Sequence, residues 1–96
     1  MSPINKKKLD LLRIKLDKLD HELLVLIKKR SNLVNEVLNV KVKKKEIIDQ
    51  KRITFILKKI KKKSILLKID PKITNRIWRN MIWSFIDYEN RNFKKK

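Results

Sequence analysis

Three charged residues interrupt faces of this chain that are otherwise apolar, and they set the chemistry open to it. Leu9, Leu12, Leu16, Leu19, Leu23, Leu26, Arg30, Leu33, Val37 and Val40 step by three and four residues without a break, which is the spacing of one helix face. Arg30 occupies a leucine position in that series. Lys41 falls 11 residues after Arg30, within about 20° of the same face. Glu89 lies four residues after Phe85, on the apolar side of a later helix. A charge left unpaired in a core costs several kcal/mol. Two arrangements are therefore open: Glu89 pairs with Arg30 or Lys41, or the cations line a cavity that binds an anion. Pairing alone leaves one cation over.

Arg13 extends this reasoning. It precedes Arg30 by 17 residues, which is roughly 25 Å along a helix and about 100° around it. It cannot touch a ligand held by Arg30 of the same chain. In an antiparallel pair of such helices it crosses to the partner's site; otherwise it is a surface arginine. There is no cysteine, and His21 is the sole histidine, set between Asp20 and Glu22 on the outer face. Neither a thiolate nucleophile nor a Cys/His metal site is available, and we expect no metal and no cofactor.

The elements that carry these residues read as helices throughout. The first, from Leu9 to Lys41, is on the order of 48 Å long at about 1.5 Å per residue. A compact chain of 96 residues has a diameter of about 30–35 Å. The helix should overhang its own domain, and its exposed seam needs a partner, most simply a second copy of itself. Glycine is absent and the two prolines follow capping residues, in Ser2-Pro3 and Asp70-Pro71, where helices begin. A second helix should start with Asp49 as its N-cap and bury Ile53, Ile56, Leu57 and Ile60, with Lys61 to Lys63 at its C-terminal end, where positive charge suits the dipole. The segment SILLKI reads as a short apolar connector. A third helix from Asp70-Pro71 should bury Ile77, Trp78, Met81, Ile82, Phe85 and Tyr88, with Glu89 continuing that side, and the terminal KKK is expected to be a solvated tail. The fold class is all-α: three helices per chain, one long and two shorter, with residues 1–96 forming a single domain.

The net charge is +18, and alanine is absent along with glycine. Lysine, isoleucine and asparagine have AT-rich codons, whereas glycine and alanine have GC-rich ones, so compositional drift accounts for both facts. We read the charge as a solvated surface rather than as a nucleic-acid footprint. No apolar run approaches the roughly 18 residues of a membrane span. The basic start MSPINKKK is followed by Asp10, Asp17 and Asp20, unlike the uncharged centre of a signal peptide. A cytoplasmic location is expected.

Three stretches resemble the AroQ class of all-α chorismate mutases: LDLLRIKLDKLDHELLVLIKKRSNLVNEVLNVK, IIDQKRITFIL and IDPKITNRIWRNMIWSFIDYE. The first is the most specific, through its R…LD…LD.ELL.LI..R..LV.EV...K spacing. The resemblance implies an intertwined homodimer with two active sites. Arg30, Lys41, Asp49 and Arg52 would line a site in one chain, and Arg13 would reach into it from the other. Arg13 and Arg30 would grip the substrate's two carboxylates, and Lys41 would donate to the ether oxygen of the breaking bond. Glu89 would face that oxygen from a second side.

The implied activity is the Claisen rearrangement of chorismate to prephenate in phenylalanine and tyrosine biosynthesis. It proceeds within one molecule and needs neither nucleophile nor metal. Bidentate arginines can hold the reactive pose, and a donor aimed at the developing negative charge is worth about 3–4 kcal/mol. A carboxylate at Glu89 would repel that charge, whereas a carboxylic acid would donate to it, so the rate should fall as pH rises. Two positions depart from the class: Ile53 stands where glutamate usually holds the substrate's ring hydroxyl, and Phe85 replaces a usually small residue. Alternatives are isochorismate pyruvate lyase activity on the same scaffold, or a non-catalytic basic helical protein that binds nucleic acid.

Overall fold

Local capping chemistry fixes where the helices begin. The computed structural model describes residues 2–94 and contains α1 (Pro3–Val40), α2 (Gln50–Leu66) and α3 (Pro71–Asn92), with one 3-10 turn, Lys44–Glu46, between α1 and α2. No strand occurs among the described residues, so the all-α, three-helix expectation holds. Ser2 Oγ accepts from the Asn5 N–H at 3.1 Å ahead of α1. Asp49 Oδ1 accepts from the Arg52 N–H at 3.0 Å at the start of α2. Asp70 Oδ1 accepts from the Lys72 N–H at 2.9 Å, and Pro71 occupies the first turn of α3. Each side chain satisfies an amide that the helix cannot.

The end of α2 departs from expectation. Ser64, Ile65 and Leu66 belong to the helix, rather than to a connector after the lysine run. Ser64 is buried; its Oγ donates to the Ile60 carbonyl at 2.7 Å and lies 2.7 Å from Thr74 Oγ1 on α3. This cross-helix contact holds the extra turn in place. The chain then reverses through two closing bonds, Ile69 N–H to the Ser64 carbonyl at 2.8 Å and Lys68 N–H to the Ile65 carbonyl at 3.1 Å. Lys68 carries φ 58°, the left-handed conformation that helix ends of this type usually give to glycine, a residue this chain lacks.

The chain divides between Leu33 and Val34 into two units. In the first unit the described residues are helical from Pro3 onward, and only Leu9, Arg30 and Ser31 are even half-buried. The apolar seam is uncovered: Leu19 and Leu23 are 53% and 54% exposed.

The second unit holds the core, in which Leu38, Ile47, Ile82 and Ile86 are buried and Ile53, Ile56, Leu57 and Phe93 pack against them. Two sequence expectations are corrected here. On α1, Leu38 is buried while Val37 and Val40 are exposed, because this end of the helix turns the Val34, Asn35 and Leu38 side inward, about 100° from the leucine seam. On α3, Ile77 is 52% exposed, and Thr74 and Ile86 are buried instead. The inward line of α3 runs through Thr74, Ile82, Ile86 and Glu89, whereas Trp78, Met81, Phe85 and Tyr88 flank it, half-buried. Bulk and aromaticity mark a line to one side of this one, whereas the contact of Thr74 with Ser64 sets the true centre. Lys94 is exposed beyond α3, and Lys95 and Lys96, the rest of the expected solvated tail, lie outside the described residues.

Candidate active site

Lys41 follows directly on α1, and its backbone N–H still bonds to the Leu38 carbonyl at 3.2 Å. Its position is thereby tied to the end of the helix and to a buried leucine. Its Nζ donates to Glu89 Oε2 at 3.0 Å, with side-chain exposures of 16% and 8%. Of the two arrangements left open by the sequence, the pairing of Glu89 is realised within the second unit, and Lys41 is the partner. Such a pair is a charge-assisted hydrogen bond, held where solvent screens it little. An ammonium carries three donors, and this bond uses one. Glu89 presents its carboxyl from α3, one turn beyond the buried Ile86 and the half-buried Phe85.

One bond near this pair has only a faint signal in the sequence. Tyr88 Oη donates to Asn35 Oδ1 at 2.8 Å, across 53 residues. Both residues are half-buried, and the Arg91 guanidinium lies 6.0 Å from the Tyr88 ring centroid. Asparagine on an otherwise leucine- and valine-rich helix end is the only hint of it.

Asp49 and Arg52 are brought together, though in a local way. The Asp49 carboxylate caps α2 through the Arg52 backbone, while the Arg52 guanidinium sits 5.4 Å from the Phe55 ring centroid; both residues are exposed. Ile53 packs against the core and offers no polar group to a ligand. In the first unit, Arg13 is exposed and Arg30 half-buried, and His21 is exposed as expected. A groove of about 410 Å³ between α2 and α3, with Lys58, Lys61 and Lys72 among its lining, contains none of the predicted site residues.

Among the described residues, no three His, Asp or Glu side chains are grouped to hold a metal ion. No described helix is long and apolar enough to cross a membrane. The second unit thus presents a lysine donor and a carboxyl side by side in a largely desolvated place, suited to polarising an oxygen atom or stabilising charge that develops on it.

No curated protein and no solved structure matches the chain significantly. A family model described as chorismate mutase type II matches residues 12–90, which include Arg13, Arg30, Lys41, Asp49, Arg52 and Glu89.

Proposed function

The chain belongs to the chorismate mutase type II family and is an isomerase that rearranges chorismate to prephenate; from this premise we propose that two copies assemble into an intertwined cytoplasmic homodimer, each of whose sites is built from both chains. The family match favours neither a lyase nor a nucleic-acid-binding protein.

The single observation that carries the catalytic reading is the Lys41–Glu89 contact at 3.0 Å. Chorismate rearranges by breaking an ether C–O bond while a C–C bond forms, and negative charge grows on the departing oxygen. Lys41 donates to that oxygen, and Glu89 faces it beside Lys41. Both groups are pre-placed, so little reorganisation is needed as the charge develops. Arg30 of the same chain and Arg13 of the partner bind the two carboxylates and hold the two reacting carbons near one another, which removes most of the entropic barrier. Asp49 and Arg52 complete the rim. Substrate and transition state share the carboxylate contacts, whereas the oxygen contacts strengthen only as the bond breaks.

Exposed surface supports the dimer. Along the seam of the first unit Leu12, Leu16, Leu19, Leu23 and Leu26 are each more than half exposed, an apolar ridge of the kind that obligate homodimers cover. Paired antiparallel about position 21, the seam sets Leu9 against Leu33, Leu16 against Leu26 and Leu19 against Leu23, and brings Arg30 opposite Leu12, beside Arg13.

The test is direct. Purified protein should consume chorismate and release prephenate, and Arg30→Ala should lose most of that activity. Release of pyruvate in place of prephenate, or salt-sensitive DNA binding without chorismate turnover, would reject the proposal.

A further inference from the structure

Lys41 and Glu89 are held by different elements, and something must fix the distance between them. Lys41 hangs from the last turn of α1 through its bond to Leu38, and Glu89 sits on α3. The carboxyl and the ammonium are both on flexible stems, so their own attraction does not set one geometry. The Asn35–Tyr88 bond of 2.8 Å joins the same two elements, and Tyr88 directly precedes Glu89. It clamps α1 about 9 Å upstream of Lys41, by the rise per residue, to the turn of α3 that carries Glu89. Two fixed points, the buried Leu38 and this polar clamp, are needed to stop α1 from sliding or rolling over α3. An apolar contact alone resists neither well, because it has no direction.

We infer that the Tyr88 hydroxyl, through Asn35, is a positioning group for the reaction: it sets the spacing of Lys41 and Glu89 without touching the substrate. The inference rests on the reading of Lys41 and Glu89 as the pair facing the ether oxygen. Phenylalanine keeps the ring, its packing and its contact with Arg91, and removes only the clamp. A displacement of about 1 Å between catalytic groups can lower a rate by up to about a hundredfold.

The experiment measures kcat and KM for Tyr88→Phe and for Asn35→Leu, each in the natural chain and in a Glu89→Ala background, with thermal unfolding followed in parallel. Tyr88→Phe should lower kcat about tenfold and change KM less than about twofold, since the carboxylate grip is untouched. The Asn35→Leu variant should match it, and the Tyr88→Phe/Asn35→Leu double variant should lose no more than either alone. In the Glu89→Ala background, Tyr88→Phe should cost less than about twofold, because the group it positions is gone. An unchanged kcat in folded Tyr88→Phe, or an equal loss in both backgrounds, overturns the inference and leaves only a structural tether. If Glu89→Ala by itself leaves kcat intact, the reading of the site fails, and the positioning role fails with it. Should Tyr88→Phe not fold, Asn35→Leu gives the same readings.

Discussion

Lys41 Nζ and Glu89 Oε2 meet at 3.0 Å across 48 residues of chain. The contact joins the end of the longest helix to the last turns of α3, within a core whose buried residues are few: Leu38, Ile47, Ile82 and Ile86. A buried ion pair adds little net stability, yet it becomes costly when one partner is removed. That asymmetry separates the structural contribution of the two residues from the catalytic one proposed for them.

Lys41→Met should reduce kcat by about 100- to 1000-fold, the usual loss of one donor to a developing oxyanion. It should also lower the unfolding free energy by about 2–4 kcal/mol, since Glu89 is left without its cation. Steady-state kinetics and urea titration measure the two losses separately. Full activity in folded Lys41→Met would remove this residue from the mechanism.

Glu89→Gln keeps a side-chain donor beside Lys41 and should retain substantial activity, whereas Glu89→Ala removes the group and should lower kcat by about 100-fold. Steady-state kinetics of the two folded variants measure the difference. Equal kcat in the Gln and Ala forms would mean that no polar group is needed at this position.

Shared sites are tested by mixing chains. Arg13→Ala and Arg30→Ala homodimers should each be nearly inactive, and random exchange between equal amounts should restore about one quarter of the natural number of sites. Each mixed dimer would hold one intact site and one doubly damaged site. No recovery, with mixed dimers demonstrated by mass, would place both arginines in the same chain's site.

Lys68 adopts φ 58°, where a side chain crowds the following carbonyl. Lys68→Gly should stabilise the protein by about 0.5–1 kcal/mol, the relief of that crowding less the extra freedom of glycine when unfolded. A higher urea midpoint with an unchanged slope is the expected outcome. A lower midpoint would mean that the lysine side chain contributes more than its backbone strain costs.

The Ser64–Thr74 hydroxyl pair at 2.7 Å is buried, so single and double changes should differ. Ser64→Ala should cost about 1–2 kcal/mol by leaving Thr74 short of its partner, while Ser64→Ala with Thr74→Val should be nearly neutral. Additive losses in thermal or chemical unfolding would argue that the hydroxyls act independently.

What could be read from the sequence followed from how local each feature is. The starts at Asp49 and Asp70 were legible because a cap needs only its own next three residues. The stop after Leu66 was not, because it depends on Ser64 meeting Thr74 on another helix. Lys41 and Glu89 could be marked as misplaced charges, but periodicity cannot say which cation a carboxyl will choose. Asn35 and Tyr88 were barely legible, since a lone asparagine near a helix end does not say which partner it meets 53 residues on. The leucine series from Leu9 to Val40 was the plainest pattern of all, yet Leu38, outside it, is the α1 residue that is buried. The folded chain leaves that strong periodic stripe uncovered, which is why the proposed assembly is drawn from it.

Those uncovered leucines have a consequence for the living cell. If the proposed dimer forms, a freshly synthesised polypeptide carries an oily ridge until it finds a sibling, and during that search it is a target for chaperones and proteases. Supply of prephenate would therefore rise more steeply than in proportion to synthesis while the protein is scarce, since encounters scale with the square of abundance, and would become proportional once most chains have mated.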